Sequence, residues 1–488
     1  MISKLYRYFQ ANKILSFGML FGTVLLVSGI LAPATLLAVL SQVNKQLLSV
    51  FTTYYLVLGL LIVLASVFIL FSPLGKKTLG SGPPAYSYFS WIALLYSTGM
   101  GSGLLLRAVQ EPVYYFNNSP VMTTNTKITA LQYTFFHWGF TPWAMYSLFG
   151  LLVAYNLYIK KVPNLLHAIV PDLKNSVLQS AAILFIVLIT ITGVIASLGL
   201  GTAQLVGGVN YIFDLDLGTS FLLLSVLVMG CIATYSALTG ITKMIKFLAD
   251  FDFVFSIILM LFVAFFLNFN VFITQTFSAL SQYFIHFFEM SLSTGAYKAR
   301  GNFTQDWTVF YWAFWLSWVP FTGIFIARIS KGRTIREFLI ATILVPTIAT
   351  IVWFSIFASS AFDIIDLGNA NQFDNVFSSL FVFLGHFPLS EVTLLIAGLL
   401  VAISIINSVD SAIFVLGMFS DNGNENPSRT HKFGWGAVIT ATALGLSCLG
   451  TSDLLSGISN LLIIMALPFS VLYLYCIVMF FKKNIFRK

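Results

Sequence analysis

The feature that most constrains this chain is a succession of apolar runs, each about as long as a helix that crosses a bilayer. A helix needs about 20 apolar residues to cross a hydrocarbon core of about 30 Å. Runs this long exclude the short alternating strands of a membrane barrel and indicate helices. They predict twelve membrane-spanning helices, at residues 15–40, 52–72, 87–107, 130–155, 178–206, 218–240, 248–270, 307–328, 337–359, 391–419, 432–450 and 455–481.

The composition agrees with a chain that lies mostly in lipid. Of 488 residues, 58% are hydrophobic and 9% are charged, whereas about a quarter of the residues in a soluble domain are charged. The net charge of +8 lies in loops and tails. It indicates an orientation signal and attraction to anionic lipid headgroups, and no nucleic-acid partner. The chain therefore reads as a multi-pass protein of the cell inner (plasma) membrane.

The positions of the basic residues predict the orientation. Short cytoplasmic loops collect Lys and Arg. With the N-terminus inside, twenty of the 25 Lys and Arg residues fall on the cytoplasmic side, four fall outside and Arg107 lies within a span. Both termini are therefore predicted to be cytoplasmic.

Between the seventh and eighth spans, residues 270–297 are apolar on a helical period but contain Gln, Ser, His and Glu. This pattern predicts a helix that lies in the membrane interface. A second such piece is predicted at residues 372–385.

The third predicted span contains the sequence GMGSG, in which Gly99, Gly101 and Gly103 alternate, and Arg107 and Glu111 follow. Each glycine weakens a helix by about 1 kcal/mol relative to alanine. An unwound turn in mid-membrane must line a site rather than face lipid. Close helix packing through small residues is the other explanation.

The tenth span contains the sequence NSVDSA, which clusters Asn407, Ser408, Asp410 and Ser411 in an apolar run. A carboxylate costs about 3 kcal/mol in lipid, so Asp410 is expected to face the bundle interior. Hydroxyl and amide oxygens gathered in this way suit a monovalent cation such as sodium. Hydrogen bonding that only joins helices explains them equally well.

Aromatic residues crowd the fourth and eighth spans. The fourth contains Trp138, Trp143 and Tyr146, and in the eighth the spacing of Tyr311, Trp315 and Trp318 places them on one helix face. An interfacial aromatic belt is the ordinary explanation. The stripes run past the first turn of each span, which favours an aromatic cage that binds a quaternary ammonium by cation–π attraction.

These motifs resemble those of the betaine/carnitine/choline transporter family. Residues 327–338, ARISKGRTIREF, are similar to the family signature that follows a Trp-rich eighth helix. Residues 137–146, HWGFTPWAMY, resemble the fourth-helix motif, and GMGSG followed by Glu-Pro resembles the third. With twelve predicted spans and an interfacial helix after the seventh, the resemblance covers nearly the whole chain.

The resemblance implies an all-α membrane fold of two inverted five-helix repeats, similar to sodium symporters, preceded by two extra helices and assembled as a homotrimer. The implied parts are residues 1–85 (N-terminal tail and two extra helices), 86–270 (first repeat), 271–306 (extracellular interfacial helix), 307–481 (second repeat) and 482–488 (short basic cytoplasmic tail).

The resemblance also implies a set of site residues. The substrate ammonium would contact Trp138, Trp143, Tyr146, Trp315 and Trp318. Residues implied to line the site or its access path are Gly99, Gly101, Gly103, Arg107, Tyr311 and Phe314. A sodium site would involve Ser97, Met100, Ser404, Asn407, Ser408 and Phe321.

Three departures from the family pattern bear on function. Phe314 stands where many members have tryptophan, and Asn407 stands where sodium-coupled members have threonine, although an amide oxygen can also bind sodium. Arg107 takes a position that is usually aromatic. It could replace a bound sodium, pair with a substrate carboxylate, or pair with Glu111 one helical turn away.

The predicted function is import of a small cationic or zwitterionic solute, a quaternary ammonium such as glycine betaine, choline or carnitine, by sodium-coupled alternating access. A sodium-independent exchanger, a proton-coupled transporter and a non-transporting sensor are the alternatives. The five histidines are scattered without metal-ligand spacing, so neither an enzyme nor a bound cofactor is expected. Sodium is the predicted coupling ion. The charged residues after the eighth span, Arg328, Lys331, Arg333, Arg336 and Glu337, are expected to join ion pairs that stabilise a cytoplasmic gate.

Overall fold

The computed structural model describes residues 12–99, 102–162, 165–173, 175–239, 242–368, 371–421, 423–424 and 426–485. These residues form helices joined by short connections. The β-type pairing within them is an isolated bridge between Thr78 and Thr334. The predicted all-helical membrane class is confirmed.

The helices of the first half are α1 (Lys13–Leu31), α2 (Pro33–Phe71), α3 (Tyr88–Gly99), α4 (Ser102–Arg107), α5 (Gln110–Asn117), α6 (Thr126–Trp138), α7 (Phe140–Ala154), α8 (Leu165–Ile169), α9 (Ser176–Phe213), α10 (Thr219–Thr239) and α11 (Thr242–Phe265). The helices of the second half are α12 (Phe269–Ile285), α13 (Phe287–Leu292), α14 (Phe310–Ile329), α15 (Ile335–Asp366), α16 (Ser379–Leu384), α17 (Ser390–Ser420), α18 (Arg429–Ser447) and α19 (Thr451–Asn484). Two wider π-type turns, Tyr155–Ile159 and Thr304–Val309, adjoin α7 and α14.

Eight helices in the described ranges are long and apolar enough to cross a membrane, and a bent pair, Asp250–Phe265 with Phe269–Ile285, makes up to nine. Four predicted spans fall on helices that do not pass this test alone. The span at 130–155 is divided at Gly139, and that at 87–107 is represented by Tyr88–Gly99 and Ser102–Arg107, with residues 100 and 101 outside the described ranges. The span at 248–270 belongs to the bent pair, and that at 432–450 begins among charged residues. The count of twelve and the repeat architecture stay predictions.

The first predicted span was placed wrongly. Residues 15–40 are not one helix, because the chain breaks at Ala32 (φ −150°, ψ 58°) and Pro33 starts a new helix. Proline suits a first helical position, since it has no N–H to donate to the preceding turn. The 39 residues of α2 then continue through the predicted loop. They extend about 58 Å, well beyond a hydrocarbon core of about 30 Å.

The polar segment after α11 is helical, as predicted. Helix α12 turns away from the preceding helix by 114°, which is the direction change that a helix lying along a membrane surface requires. The second predicted surface piece, residues 372–385, contains only the six-residue α16.

Helices α7 and α14 pack with their backbones in contact. A Cβ atom added to Gly150 of α7 would lie 2.9 Å from the carbonyl oxygen of Gly323 in α14. A Cβ atom on Gly323 would lie 2.8 Å from Cδ1 of Phe149 and 3.1 Å from the Gly150 nitrogen. Small residues at a crossing allow this approach. The contact sets the aromatic faces of the two helices against each other.

The segment before α3 is fastened to the connection between α14 and α15. The Leu79 N–H donates to the Arg333 carbonyl and the Gly332 N–H donates to the Leu79 carbonyl, each at 2.8 Å. The Arg333 guanidinium lies 4.0 Å from the Tyr88 ring centroid and 4.7 Å from that of Trp91, and Nη2 donates to the Tyr86 carbonyl. We call Arg333, Tyr88 and Trp91 the arginine clamp. Its contacts with the two rings are cation–π contacts, and the ion pairs predicted for this charged segment stay a prediction.

Candidate solute-binding site

The aromatic residues of the fourth predicted span straddle the break between α6 and α7. At Gly139, a Cβ atom would lie 2.4 Å from the Phe135 carbonyl oxygen, so only glycine fits there. Pro142 follows within the first turn of α7, where its missing N–H costs little. The break therefore directs Trp138 from the end of one helix and Trp143 from the start of the next toward α14.

Five aromatic side chains meet in the space between these helices, and we call them the aromatic cluster: Trp138, Trp143, Tyr146, Tyr311 and Trp315. Each is at most 3% exposed. Trp315 is central, with its ring centroid 4.9 Å from that of Trp138, 6.5 Å from Trp143, 6.0 Å from Tyr146 and 6.3 Å from Tyr311. Four of these five residues were predicted to bind the substrate ammonium, and Tyr311 was predicted to line the site.

The indole N–H groups of the cluster are bonded to the protein. Trp143 Nε1 donates to the Trp138 carbonyl at 3.0 Å, and Trp315 Nε1 donates to the His137 carbonyl at 2.9 Å. Both carbonyls end α6, where helix geometry leaves acceptors unpaired. Because the ring edges are held in this way, the electron-rich ring faces are the surfaces that remain for a ligand.

A buried carboxylate holds two rings of the cluster. Glu111 of α5 is fully buried, and its Oε2 accepts a hydrogen bond from Trp138 Nε1 at 2.9 Å and another from the Tyr311 hydroxyl. Its Oε1 accepts no hydrogen bond and lies 3.8 Å from His137 Nδ1. The His137 ring stacks on Tyr311 and bonds to the Tyr115 hydroxyl at 2.8 Å.

Sequence reasoning did not give Glu111 or His137 a role in the site. Glu111 was considered as a partner for Arg107 and as part of the third-span motif, and His137 as part of the fourth-span motif and as one of several scattered histidines. The available signal was the presence of an acidic residue directly after an apolar span, which marks a functional position more often than a structural one.

Trp318 and Phe321 lie apart from the cluster. Trp318 is half-buried, and its ring contacts Phe321 with the centroids 6.0 Å apart. Among the described residues no ring contact joins Trp318 to the cluster. Phe314 is half-buried and meets Trp315 edge to face at 5.2 Å. Of the three residues predicted to share a helix face, Tyr311 and Trp315 therefore belong to the cluster and Trp318 does not.

The glycine-rich turn is described only in part. Helix α3 ends at Gly99 and α4 begins at Ser102, so the predicted unwound turn at Met100 and Gly101 lies outside the described residues. Gly103 packs on the cluster, since a Cβ atom there would lie 3.5 Å from Trp138 Cη2 and 3.7 Å from Phe314 Cζ. Helix α4 thus forms one side of the site.

Arg107 at the end of α4 does not pair with Glu111. It is 6% exposed, and its Nη1 donates to Gln110 Oε1 at 2.6 Å. Its guanidinium carbon lies 5.1 Å from the ring centroid of Trp307. Among the described residues no carboxylate oxygen lies within 4 Å of this guanidinium.

The predicted sodium ligands are only partly visible. Met100 lies outside the described residues, and the side chain of Ser97 is not described. Ser404 is buried and donates to both Asp252 oxygens of α11, at 3.1 and 3.2 Å, whereas Asn407 and Ser408 are half-buried. Asp252 was missed, although a carboxylate within a predicted span is itself a signal.

Asp410 is 6% exposed, as its predicted position inside the bundle requires. Its Oδ2 accepts a hydrogen bond from the Ser236 hydroxyl of α10 at 2.6 Å. The bond joins α10 to α17, so Asp410 links two helices of the bundle.

The sequence is similar over nearly its whole length to a single family. The family model described as BCCT, betaine/carnitine/choline family transporter, matches residues 13–486. The glycine betaine transporter OpuD of Bacillus subtilis is 38% identical over 468 residues, which are 93% of this chain and 91% of that protein. A glycine betaine/proline/choline/ectoine transporter of Vibrio parahaemolyticus is 31% identical over 464 residues, covering 91% and 82% of the two chains. An ectoine/hydroxyectoine transporter of Virgibacillus pantothenticus is 32% identical over 443 residues, covering 87% and 86%.

Many apolar helices around a buried aromatic cluster, together with these relatives, define the class: a multi-pass membrane transporter, and not an enzyme. The chain belongs to the betaine/carnitine/choline transporter family.

Proposed function

We propose that this protein imports a quaternary ammonium solute, such as glycine betaine, choline or carnitine, by sodium-coupled alternating access. The observation that carries the proposal is the aromatic cluster. Trp138, Trp143, Tyr146, Tyr311 and Trp315 are buried together, and hydrogen bonds hold the indole edges of three of them. Ring faces arranged in this way attract a methylated ammonium by up to about 2 kcal/mol per desolvated contact.

The names of the relatives support the same substrate class. They include transporters of glycine betaine, choline and ectoine, which are small solutes with a cationic nitrogen group. An aromatic cluster binds that group and has little to distinguish the rest of the molecule.

Sodium coupling is the finer part of the proposal. It is supported by the oxygen-rich face of α17, where Ser404, Asn407 and Ser408 follow the spacing of one helix side and Ser404 bonds to the α11 carboxylate of Asp252. Hydroxyl, amide and carboxylate oxygens are hard ligands suited to sodium. We further propose that both termini are cytoplasmic and that the α14–α15 connection lies on that side.

Uptake into proteoliposomes tests the proposal. Radiolabelled glycine betaine and choline are offered with and without an inward sodium gradient, to the wild type and to Trp315→Ala. We expect sodium-driven accumulation in the wild type and its loss in the variant, because Trp315 contacts every other ring of the cluster. Trp353→Ala is the matched control, since Trp353 is an equally buried ring on α15 that stacks on Phe357 outside the cluster. Similar losses in both variants would contradict a specific role for Trp315.

The same experiment separates symport from exchange. Uptake that ignores the sodium gradient but rises when solute is preloaded inside would overturn sodium coupling and indicate an exchanger. Arg107 was the sequence-based reason to consider exchange, as a substitute for a bound sodium. Its guanidinium lies against Gln110 and Trp307, with no hydrogen bond to Ser404, Asn407 or Ser408 among the described residues. This position gives exchange no support.

A further inference from the structure

We infer that Arg107 is a specificity-determining residue, which makes this transporter prefer solutes that carry a carboxylate over solutes that are only cationic. The inference rests on the proposed function and deepens it. It assigns glycine betaine and other zwitterions as the preferred class, and choline as a poor substrate.

The first argument is the incomplete pairing of a buried cation. Arg107 is 6% exposed, and its one side-chain hydrogen bond within the described part of the chain is to the neutral amide of Gln110. A guanidinium has five N–H donors in a planar fork that fits a carboxylate with two parallel bonds. A buried charge without a counter-charge is costly, so proteins seldom keep one without a use. The nearest acidic side chain along the sequence, Glu111 of α5, already uses Oε2 for Trp138 and Tyr311.

The second argument is the position of Arg107 at the end of a row of rings that reaches the cluster. Its guanidinium lies over Trp307, which stacks on Tyr311, and Tyr311 stacks on Trp315. Successive ring centroids are 6.3 Å apart and the rings are within 28° of parallel. Three ring faces therefore lead from Arg107 to the centre of the cluster.

Helix α4 makes the same connection. Gly103 packs on Trp138 of the cluster, and Arg107 is four residues later on the same face of the helix, about 6 Å along its axis. A solute that travels along the three rings thus passes the guanidinium before it reaches the cluster. In the proposed orientation this is the outer side, because α14 begins there.

The charge of Arg107 acts in opposite directions on the two kinds of solute. The carboxylate of glycine betaine can accept two hydrogen bonds from the guanidinium, and the trimethylammonium group is left to the rings. Choline has a hydroxyl group in place of the carboxylate, so it offers no compensating charge and its cation is repelled. Both effects favour the zwitterion.

Competition between matched solutes tests the inference. Glycine betaine and choline share the trimethylammonium head, and their KM values are measured in proteoliposomes for the wild type, Arg107→Gln and Arg107→Lys. We expect Arg107→Gln to lower the ratio of betaine to choline uptake at least tenfold, through a higher KM for betaine and an equal or lower KM for choline. Arg107→Lys should keep a weaker preference for betaine, since an ammonium keeps the charge and lacks the fork.

The controls separate specificity from folding. Lys127→Gln removes a cation that already pairs with a carboxylate of the protein, Asp366, and should leave the ratio unchanged. An unchanged ratio in Arg107→Gln, or an equal loss of both solutes, would overturn the inference. If Arg107→Gln does not yield folded protein, Arg107→Lys decides, and a wild-type ratio in that variant would also contradict it.

The outcome for the wild type distinguishes this inference from the proposed function. Uptake of neither solute would overturn the proposed function itself. Uptake of both solutes with no preference for betaine would leave the proposed function in place and overturn only the role of Arg107.

Discussion

Glu111 joins rings from two helices through one oxygen atom. Trp138 belongs to α6 and Tyr311 to α14, and both donate to the same buried carboxylate. Hydrogen bonds to a charged acceptor contribute about 1.5–3 kcal/mol each, and a buried donor left unpaired costs about 1–3 kcal/mol. Glu111 is thus a positioning residue for the cluster.

We expect Glu111→Leu to destabilise the protein by about 2–4 kcal/mol, because it leaves two buried donors unpaired. It should also raise the betaine KM. Glu111→Gln keeps a carbonyl oxygen as acceptor and should recover much of both properties. The measurements are thermal unfolding in detergent and the change in tryptophan fluorescence on adding glycine betaine. Equal effects of Leu and Gln would show that the acceptor oxygen is not what matters.

At the scale of residues, the sequence predicted which rings belong to the cluster better than it predicted how far along each helix the cluster extends. The four-residue spacing of Tyr311 and Trp315 identifies a helix face, and the structure buries both rings. Trp318 lies on the same face but contacts Phe321. Helical periodicity shows which residues share a face, and it does not show where along the helix the neighbouring helices make contact. The partners of Glu111 are far away in sequence, so no local pattern could reveal them.

At the scale of elements, the crossing of α7 and α14 depends on two glycines. We expect Gly150→Ala to destabilise the protein by about 1–3 kcal/mol, since its Cβ would lie 2.9 Å from a backbone carbonyl that cannot rotate away. Gly398→Ala on α17 is the matched control, because nothing lies within 4 Å of its added Cβ. That variant should be neutral or up to about 1 kcal/mol more stable through helix propensity. Thermal unfolding of both variants checks the prediction, and similar values would contradict the close contact.

The arginine clamp predicts a local change in dynamics. Arg333→Ala removes two cation–π contacts and a hydrogen bond to the Tyr86 carbonyl. At about 0.5–2 kcal/mol per contact, the two contacts together contribute at least about 1 kcal/mol, so local opening of the segment should become at least about fivefold more frequent. We expect faster amide hydrogen exchange in residues 88–95, and no change in Lys331→Ala, whose side chain is exposed. Unchanged exchange in Arg333→Ala would mean that backbone pairing alone holds the segment.

Apolar runs located most of the helices, but not their interruptions. The break at Ala32 was missed because Pro33 lies inside an apolar run, and proline is compatible with both a kink and a new start. The division at Gly139 depends on the approach of the Phe135 carbonyl, a three-dimensional contact that hydropathy does not record. The ring partners of Arg333 in the clamp were not predicted, since a charged sequence does not show that its partners are aromatic.

At the scale of the whole molecule, the distribution of Lys and Arg predicts which side each loop faces. Single cysteines at Lys298 and Asn424, both exposed, can be introduced after Cys231, Cys448 and Cys476 are replaced. We expect a membrane-impermeant maleimide to label Lys298→Cys in intact cells and Asn424→Cys only after permeabilisation. The opposite labelling pattern would invert the proposed orientation and with it the outer position of Arg107.

The fold class could be predicted from the sequence because the length of an apolar run can be read from each segment by itself. The number of spans did not, since bent and interrupted helices such as α11–α12 and α6–α7 are fixed by contacts between segments. The family was recognisable because several motifs, in the third, fourth and eighth spans, point to the same protein class. The role proposed for Arg107 in the choice of solute rests on the surroundings of this side chain, which are visible only in three dimensions.

The glycine crossing of α7 and α14 also limits how the transporter can move. Gly150 and Gly323 are in backbone contact. The two helices therefore cannot slide past each other unless the backbone of one helix moves away from the backbone of the other. In the alternating access proposed above, we therefore expect α7 and α14 to move as one unit, with the rings of Trp143 and Trp315 at a constant spacing. We expect the opening and closing of the site to involve helices packed around this pair, such as α3 and α4.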